Sequence, residues 1–170
     1  MAFENAIGED ICIMVNSASY EAAGVVVHVA TIGACAVIFN EEGRVLLSHR
    51  TDQDVWNLPG GGMEPDETVD ETAVREVLEE TGLIVSITRL IGVYTKVSAS
   101  GTTDITFCFL CSLEAGELVL TDEADQHGYF DVTVLPRNTV LNHVRRIWDA
   151  SEEKSEVIFV KQPPFWKGRM

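Results

Sequence analysis

Basic residues are scarce in this chain: 12 Lys and Arg stand against 27 Asp and Glu, for a formal net charge of −15. Nucleic-acid polymers are bound by clustered Lys and Arg, so this balance excludes them as partners. A small anionic ligand would need local cations to hold it. Long apolar runs are missing too. Ile11 to Val15 and Val25 to Val29 are far too short to cross a membrane, and the opening MAFENAIGED lacks the basic end of a signal peptide. A soluble, cytoplasmic protein is expected. The sequence has no repeat or low-complexity tract. Its four cysteines, Cys12, Cys35, Cys108 and Cys111, include one CxxC pair, inside the apolar run ITFCFLCSL. Strand spacing sends Cys108 and Cys111 to opposite faces, and no second CxxC or HxxxH completes a zinc site, so the cysteines read as buried and reduced.

With 170 residues and 46% hydrophobic content, the chain fits one compact domain spanning 1–170. Its core falls at about 31–150, between an N-terminal extension, 1–30, and a C-terminal tail, 151–170. Apolar β-branched stretches at 32–39, 44–50, 84–96 and 104–113 read as strands. Glu41 to Gly43 forms the first hairpin turn, and SASGTT, Ser98 to Thr103, a longer loop. A second helix is expected at about 138–150. The run 25–31 offers a further strand, and Glu156 to Lys161 an edge strand or a segment exchanged with a partner. Mixed strands with a helix against them indicate α+β or α/β/α layering. The rigid apolar tail PPFWKG, Pro163 to Gly168, caps the core or meets a second copy, which makes a homodimer a candidate.

The segment GGMEPDETVDETAVREVLEETGL, Gly61 to Leu83, concentrates eight acidic residues. Thr68 is a helix N-cap with Glu71 as its capping-box partner, and Gly82 ends the helix, which should run from Val69 to Thr81. Leu83 is expected to fold back on Leu78, with Val69, Ala73, Val74, Val77 and Leu78 packing on the core. Glu76, Glu79 and Glu80 then share one face beside that apolar arc. Like charges packed so closely call for a cation. Arg75, four positions from Glu79, is placed to orient it.

Upstream, WNLPGGG, Trp56 to Gly62, breaks regular structure and permits close backbone approach, so its carbonyls can join a metal shell. Carboxylates, carbonyl and water suit Mg²⁺ or Mn²⁺ better than zinc, which favours His and Cys. The matching substrate is a phosphate ester or anhydride.

The spacing G-x5-E-x7-R-E-U-x-E-E-x-G-U, with U apolar, is filled by Gly61, Glu67, Arg75, Glu76, Val77, Glu79, Glu80, Gly82 and Leu83. It resembles the signature of the MutT-like Nudix hydrolases. TIGACAVIFNEEGRVLLSHR is similar to that family's opening hairpin, and YFDVTVLP, Tyr129 to Pro136, to its late aromatic-pair and Leu-Pro segment. The resemblance implies a mixed β-sheet sandwiched between helices, with the loop–helix–loop box at the sheet's edge. It also implies a metal-dependent pyrophosphohydrolase, in which water attacks phosphorus of a nucleoside diphosphate linked to another moiety, or of a nucleoside triphosphate. The alternative is a catalytically silent domain that senses a nucleotide. By resemblance, Glu76 and Glu80 are metal ligands, and a carbonyl of Gly60 or Gly61 completes the shell. Glu79 is either a ligand or the group that orients or deprotonates water, and Arg75 with Glu67 supports them. Relatives often supply a further carboxylate before the aromatic pair. Gln126 holds that place here, leaving Glu123 or Asp125 to substitute. Arg50 is a candidate phosphate contact, and Tyr129 a candidate stacking residue for the base.

Overall fold

The protein is described from a computed structural model covering residues 10–12, 26–28, 30–97, 102–152 and 154–163, with side chains from Ala30 onward. Cys12's side chain, Ser98 to Gly101 of the expected loop, and the PPFWKG tail beyond Pro163 lie outside the described residues. Strands β1 (Asp10–Cys12) and β2 (Val26–His28) form a parallel pair of their own.

Five strands make the central sheet: β3 (Ala30–Ile38), β6 (Gly60–Gly62), β7 (Leu83–Val97), β8 (Thr103–Gly116) and β10 (Ile158–Gln162), ordered β10-β7-β8-β3-β6. The β10–β7 and β8–β3 pairings are parallel, the other two antiparallel. Beside it β5 (Val55–Asn57), β4 (Val45–Arg50) and β9 (Ala124–Phe130) form an antiparallel sheet in that order. Helix α1 (Val69–Thr81) covers one face and α2 (Leu141–Ser151) the other.

Strand β3 is apolar almost throughout because both its faces are buried. Ala34, Ala36 and Ile38 join Ala73 and Val77 of α1, whereas Cys35 and Val37 join Ile147 and Ala150 of α2. Strand β4 divides likewise, Leu46 to the first cluster and Val45 and Leu47 to the second. Cys108 and Cys111 fall in opposite clusters, as strand spacing requires.

The α1 limits coincide with those read from its caps. Three expectations change. Leu78 is 50% exposed and does not pack on the core; Leu83, at the start of β7, takes that role with Ala73 and Val77. The glycines after Pro59 form a strand rather than a loop, because β3 pairs with their backbone. Helix α2 starts later than 138, since Trp56 N–H donates to Asn138 C=O at 3.2 Å and Val140 N–H to Trp56 C=O at 2.9 Å. Those bonds hold 138–140 extended along β5.

Candidate active site

Helix α1 starts on its capping box. The Glu71 carboxylate accepts from Thr68 N–H at 2.8 Å and Thr68 Oγ1 at 2.9 Å, while Asp66 before it sits at φ 69°, a left-handed position that favours a small residue. The far end closes on Gly82, at φ 75°, whose N–H donates to Leu78 C=O at 2.9 Å. Held at both ends, the helix keeps its carboxylates in fixed order along β6.

Arg75 is the hub of that face. Its Nε lies 2.6 Å from Glu67 Oε1, and its Nη1 reaches Glu76 Oε1 and Glu79 Oε2, each at 2.9 Å. Its Nη2 donates to Gly62 C=O at 3.0 Å and to Glu67 Oε2 at 3.1 Å. One guanidinium thus ties the helix to the glycine strand, as its rigid fork of donors allows. Beside it, and with Glu64 N–H as a second donor, the Glu67 carboxyl is held down at about 2.

Glu80 faces inward at 7% exposure, and its Oε2 accepts from Gly60 N–H at 3.3 Å. Burial pushes its carboxyl up to about 8, and the charge of Glu76 adds to the effect. Burial also raises Glu76, against the opposing pull of Arg75. Glu123, just before β9, repels both carboxylates, and Arg50 is close enough to offset part of this at Glu80. Arg50 itself is engaged by Asp52, Nε to Oδ1 and Nη2 to Oδ2, each at 3.0 Å.

The acids therefore meet along the Gly60–Gly62 backbone, which β3 holds close by pairing Cys35 with Gly60, Ala34 with Gly61 and Gly33 with Gly62. A Cβ on Gly60 would overlap the Ala34 carbonyl oxygen and the Cα of Cys35. Among the described residues no three carboxylate, imidazole or thiol side chains form a finished metal shell; Arg75 holds Glu76 and Glu79 in its own hydrogen bonds. The donors nevertheless fit a hard divalent cation, since they are all oxygen and Glu80 is a buried carboxylate crowded by two others.

The structure places the remaining candidates unequally. Tyr129 packs partly buried against the α1 cluster. The stretch around Gln126 is strand rather than loop. A register shift between His49 and Arg50 leaves Asp125 out of the ladder, where His49 Nδ1 holds it at 2.7 Å. Sequence reasoning missed a polar group lining a cavity of about 430 Å³ along Gly60–Gly62. There Lys96 Nζ lies 3.0 Å from Asp104 Oδ2, and Thr31 Oγ1 donates to Asp104 Oδ1 at 2.6 Å. The available signal was the β7–β8 pairing, which sets Lys96 opposite Asp104.

A carboxylate-bearing helix edged by a glycine strand, in a helix–sheet–helix frame, offers oxygen donors suited to phosphate-anhydride chemistry. Residues 29–164 match the NUDIX domain. The chain is 35% identical over 129 residues to a putative 8-oxo-dGTP diphosphatase of Bacillus subtilis, covering 75% of this chain and 84% of that one. It is 36% identical over 104 residues to an ADP-ribose pyrophosphatase of Methanocaldococcus jannaschii, covering 59% and 62%. Among solved structures, an ADP-ribose pyrophosphatase of Streptococcus suis aligns with TM-score 0.62 and 25% identity over 78% of this chain and 98% of its own. The chain belongs to the Nudix family and is a pyrophosphohydrolase. Nudix hydrolases generally use a divalent metal. No helix among the described residues is long and apolar enough to cross a membrane.

Proposed function

We propose that the chain hydrolyses a nucleoside diphosphate linked to another moiety, or a nucleoside triphosphate, with Mg²⁺ as cofactor and Mn²⁺ as its substitute. The observation that carries this reading is the burial of Glu80 against Gly60 N–H, beside Glu76 and within the field of Glu123. Glu76 and Glu80 would hold the ion, together with a backbone carbonyl of Gly60 or Gly61. When bound, the ion neutralises phosphate oxygens and lowers the pKa of a water molecule.

Glu79, the most exposed acid of the face, accepts the water proton or orients the water, and Glu123, whose charge is felt at Glu76 and Glu80, is the second candidate acceptor. Arg75 fixes the directions of Glu76 and Glu79 rather than touching substrate. Arg50 binds phosphate on exchanging its Asp52 partner for the more highly charged ligand. The cavity along Gly60–Gly62 takes the nucleoside side of the substrate. Phe159, 80% exposed on edge strand β10, offers a second copy an apolar contact for a homodimer. Such nucleotides are a cytoplasmic pool, and we place the protein there.

The test is product release from oxidised and ordinary nucleoside triphosphates, ADP-ribose, nucleotide sugars and dinucleoside polyphosphates, with Mg²⁺, Mn²⁺ or EDTA. One class should be cleaved, and EDTA should abolish cleavage. Glu80→Gln should lose about 100-fold or more in turnover while folding normally, because an amide is a poor substitute for a carboxylate ligand. Equal turnover by Glu80→Gln at saturating Mg²⁺ would remove Glu80 from the site.

A further inference from the structure

Thr31, Asp104 and Lys96 stand in one row across the central sheet. The β3–β8 register sets Thr31 opposite Asp104, and the β7–β8 register sets Lys96 opposite Asp104. Directly paired residues of neighbouring strands project to the same face, and here they meet. Lys96 Nζ lies 3.0 Å from Asp104 Oδ2, and Thr31 Oγ1 donates to Asp104 Oδ1 at 2.6 Å. Both charges remain open to a ligand: the Lys96 and Asp104 side chains are 30% and 29% exposed. With Thr31 they line the cavity of about 430 Å³ along Gly60–Gly62, a volume within the range of small-molecule sites, about 300–1,000 Å³.

The hydrogen-bonding capacity left in the row has a fixed order. The Lys96 ammonium carries more donors than the one spent on Asp104. Each Asp104 oxygen already accepts one bond, from Lys96 or from Thr31, and keeps a lone pair for another. A ligand edge that complements this offers an acceptor to Lys96 and two adjacent donors to the carboxylate. Among the nucleobases that edge is the O6, N1–H and N2–H₂ edge of guanine. Its two donors sit side by side, as the two carboxylate oxygens do. Adenine and cytosine bring one acceptor and one amino donor in this order, and uracil and thymine one carbonyl and one N–H. Each of these leaves an oxygen of Asp104 unanswered.

We propose that Thr31, Asp104 and Lys96 determine base specificity by reading the Watson–Crick edge of guanine, so that the ligand of this chain is a guanine nucleotide. The inference rests on the cavity receiving the nucleoside side of the substrate. Thr31 lies two residues along β3 from Gly33, the partner of Gly62. The row therefore stands about 7 Å along the strand from the glycine backbone, a gap that one sugar spans. The lining also sets two cations, Lys96 and Arg146, against the one carboxylate of Asp104, in a chain of net charge −15. Arg146 comes from α2 and donates to Gln162 Oε1 at 3.0 Å and to Cys35 Sγ at 3.6 Å, so it contributes field rather than a direct contact. That field favours an anionic nucleotide.

The experiment is equilibrium binding of GMP, IMP, AMP, CMP and UMP to the native full chain, by calorimetry in EDTA, which needs neither metal nor turnover. GMP should bind about 30-fold or more tighter than AMP, CMP or UMP. IMP keeps O6 and N1–H and lacks only the 2-amino group, so it should bind about tenfold more weakly than GMP. Asp104→Asn supplies a readout that a merely structural role would not move. Its amide replaces one acceptor with a donor and so complements a carbonyl at C2. The variant should lose about tenfold or more for GMP and bind XMP, which has that carbonyl, more tightly than wild type does. Equal binding of all five nucleotides would overturn the guanine reading and leave the cavity as the nucleoside site. Binding of none would overturn both. A folded Asp104→Asn that keeps the wild-type preference would also overturn the role of Asp104. Should Asp104→Asn not fold, the wild-type ranking decides. A preference for GMP beside failure of the EDTA-sensitive cleavage would sink the metal-dependent mechanism alone.

Discussion

A Cβ built on Gly61 stands 2.5 Å from Oε1 of Glu76, so the glycine strand and the acidic helix face are packed to the limit of what hydrogen allows. The obstructing atom is the end of a flexible side chain, so Gly61→Ala moves the carboxylate and spares the backbone. The variant should keep a melting temperature within about 4 °C of wild type yet lose about tenfold or more in metal-dependent turnover. Gly60→Ala should behave differently. Gly60 has φ 149° and faces backbone atoms of Ala34 and Cys35, so alanine there should destabilise by about 1–3 kcal/mol. Urea unfolding of both variants beside their turnover separates the two effects.

How far the sequence could be read depended on the kind of signal. Helix α1 was legible to its ends because Thr68, Glu71 and Gly82 act locally, through caps that need no tertiary partner. Strands β3, β4, β7 and β8 were legible from their apolar stretches. Strands β5, β6 and β9 were not, because Gly60–Gly62 and Ala124–Phe130 carry no apolar alternation and are strands only through their partners β3 and β4. The same limit applied to the site. Helical spacing gathered Glu76, Glu79 and Glu80, whereas the Cys35–Arg146 contact joins residues 111 positions apart. Leu78 departs from the expected arc because Gly82 ends the helix and turns the chain inward at Leu83, which joins Ala73 and Val77 in the core while Leu78 stays exposed.

Arg75 and Glu67 set an acid limit. The Glu67 carboxyl sits at about 2 in the fold against an ordinary value of 4.5, so its contribution is complete above the ordinary value and is lost as pH falls toward 2. Arg75→Gln removes the cation responsible for most of this shift. Its melting temperature should be lower than wild type at pH 7, and the gap should narrow as pH drops from about 5 to 3. Turnover should fall by about 10–100-fold, because Glu76 and Glu79 lose the guanidinium that aims them. An unchanged gap across that range would show that the pair does not set the acid limit.

His143 should destabilise the fold at mildly acid pH. It lies half-buried in the first turn of α2, where its Nδ1 accepts from Leu58 N–H at 2.9 Å, and desolvation, with Arg146 and Lys96 nearby, holds it well below the usual imidazole range. The folded state therefore refuses a proton that the unfolded chain takes up. The associated stability is complete above about 6.5 and falls by about 1.4 kcal/mol for each pH unit below, until the folded ring itself titrates. Unfolding free energies measured by urea at pH 7.5, 6.0 and 5.0 should show this slope. His143→Asn, which keeps an acceptor for Leu58 N–H, should flatten it at some cost in packing.

His49 should show the opposite sign. Its Nδ1 lies 2.7 Å from Asp125 Oδ1 and its Nε2 3.1 Å from Asp54 Oδ1, and these carboxylates raise its pKa, the Asp125 hydrogen bond most of all. A raised folded value means the stabilisation is complete below the unfolded value of about 6.5 and is lost as pH rises through the folded one. The pair joins β4 to the bulge that carries Asp125, two residues beyond Glu123. His49→Gln should thus leave stability above pH 8 nearly unchanged and lower it near pH 6. The comparison that decides is the difference in melting temperature between variant and wild type at those two pH values. Equal differences would mean that His49 stays neutral and acts only through its packing on Trp56, 5.2 Å away between ring centroids.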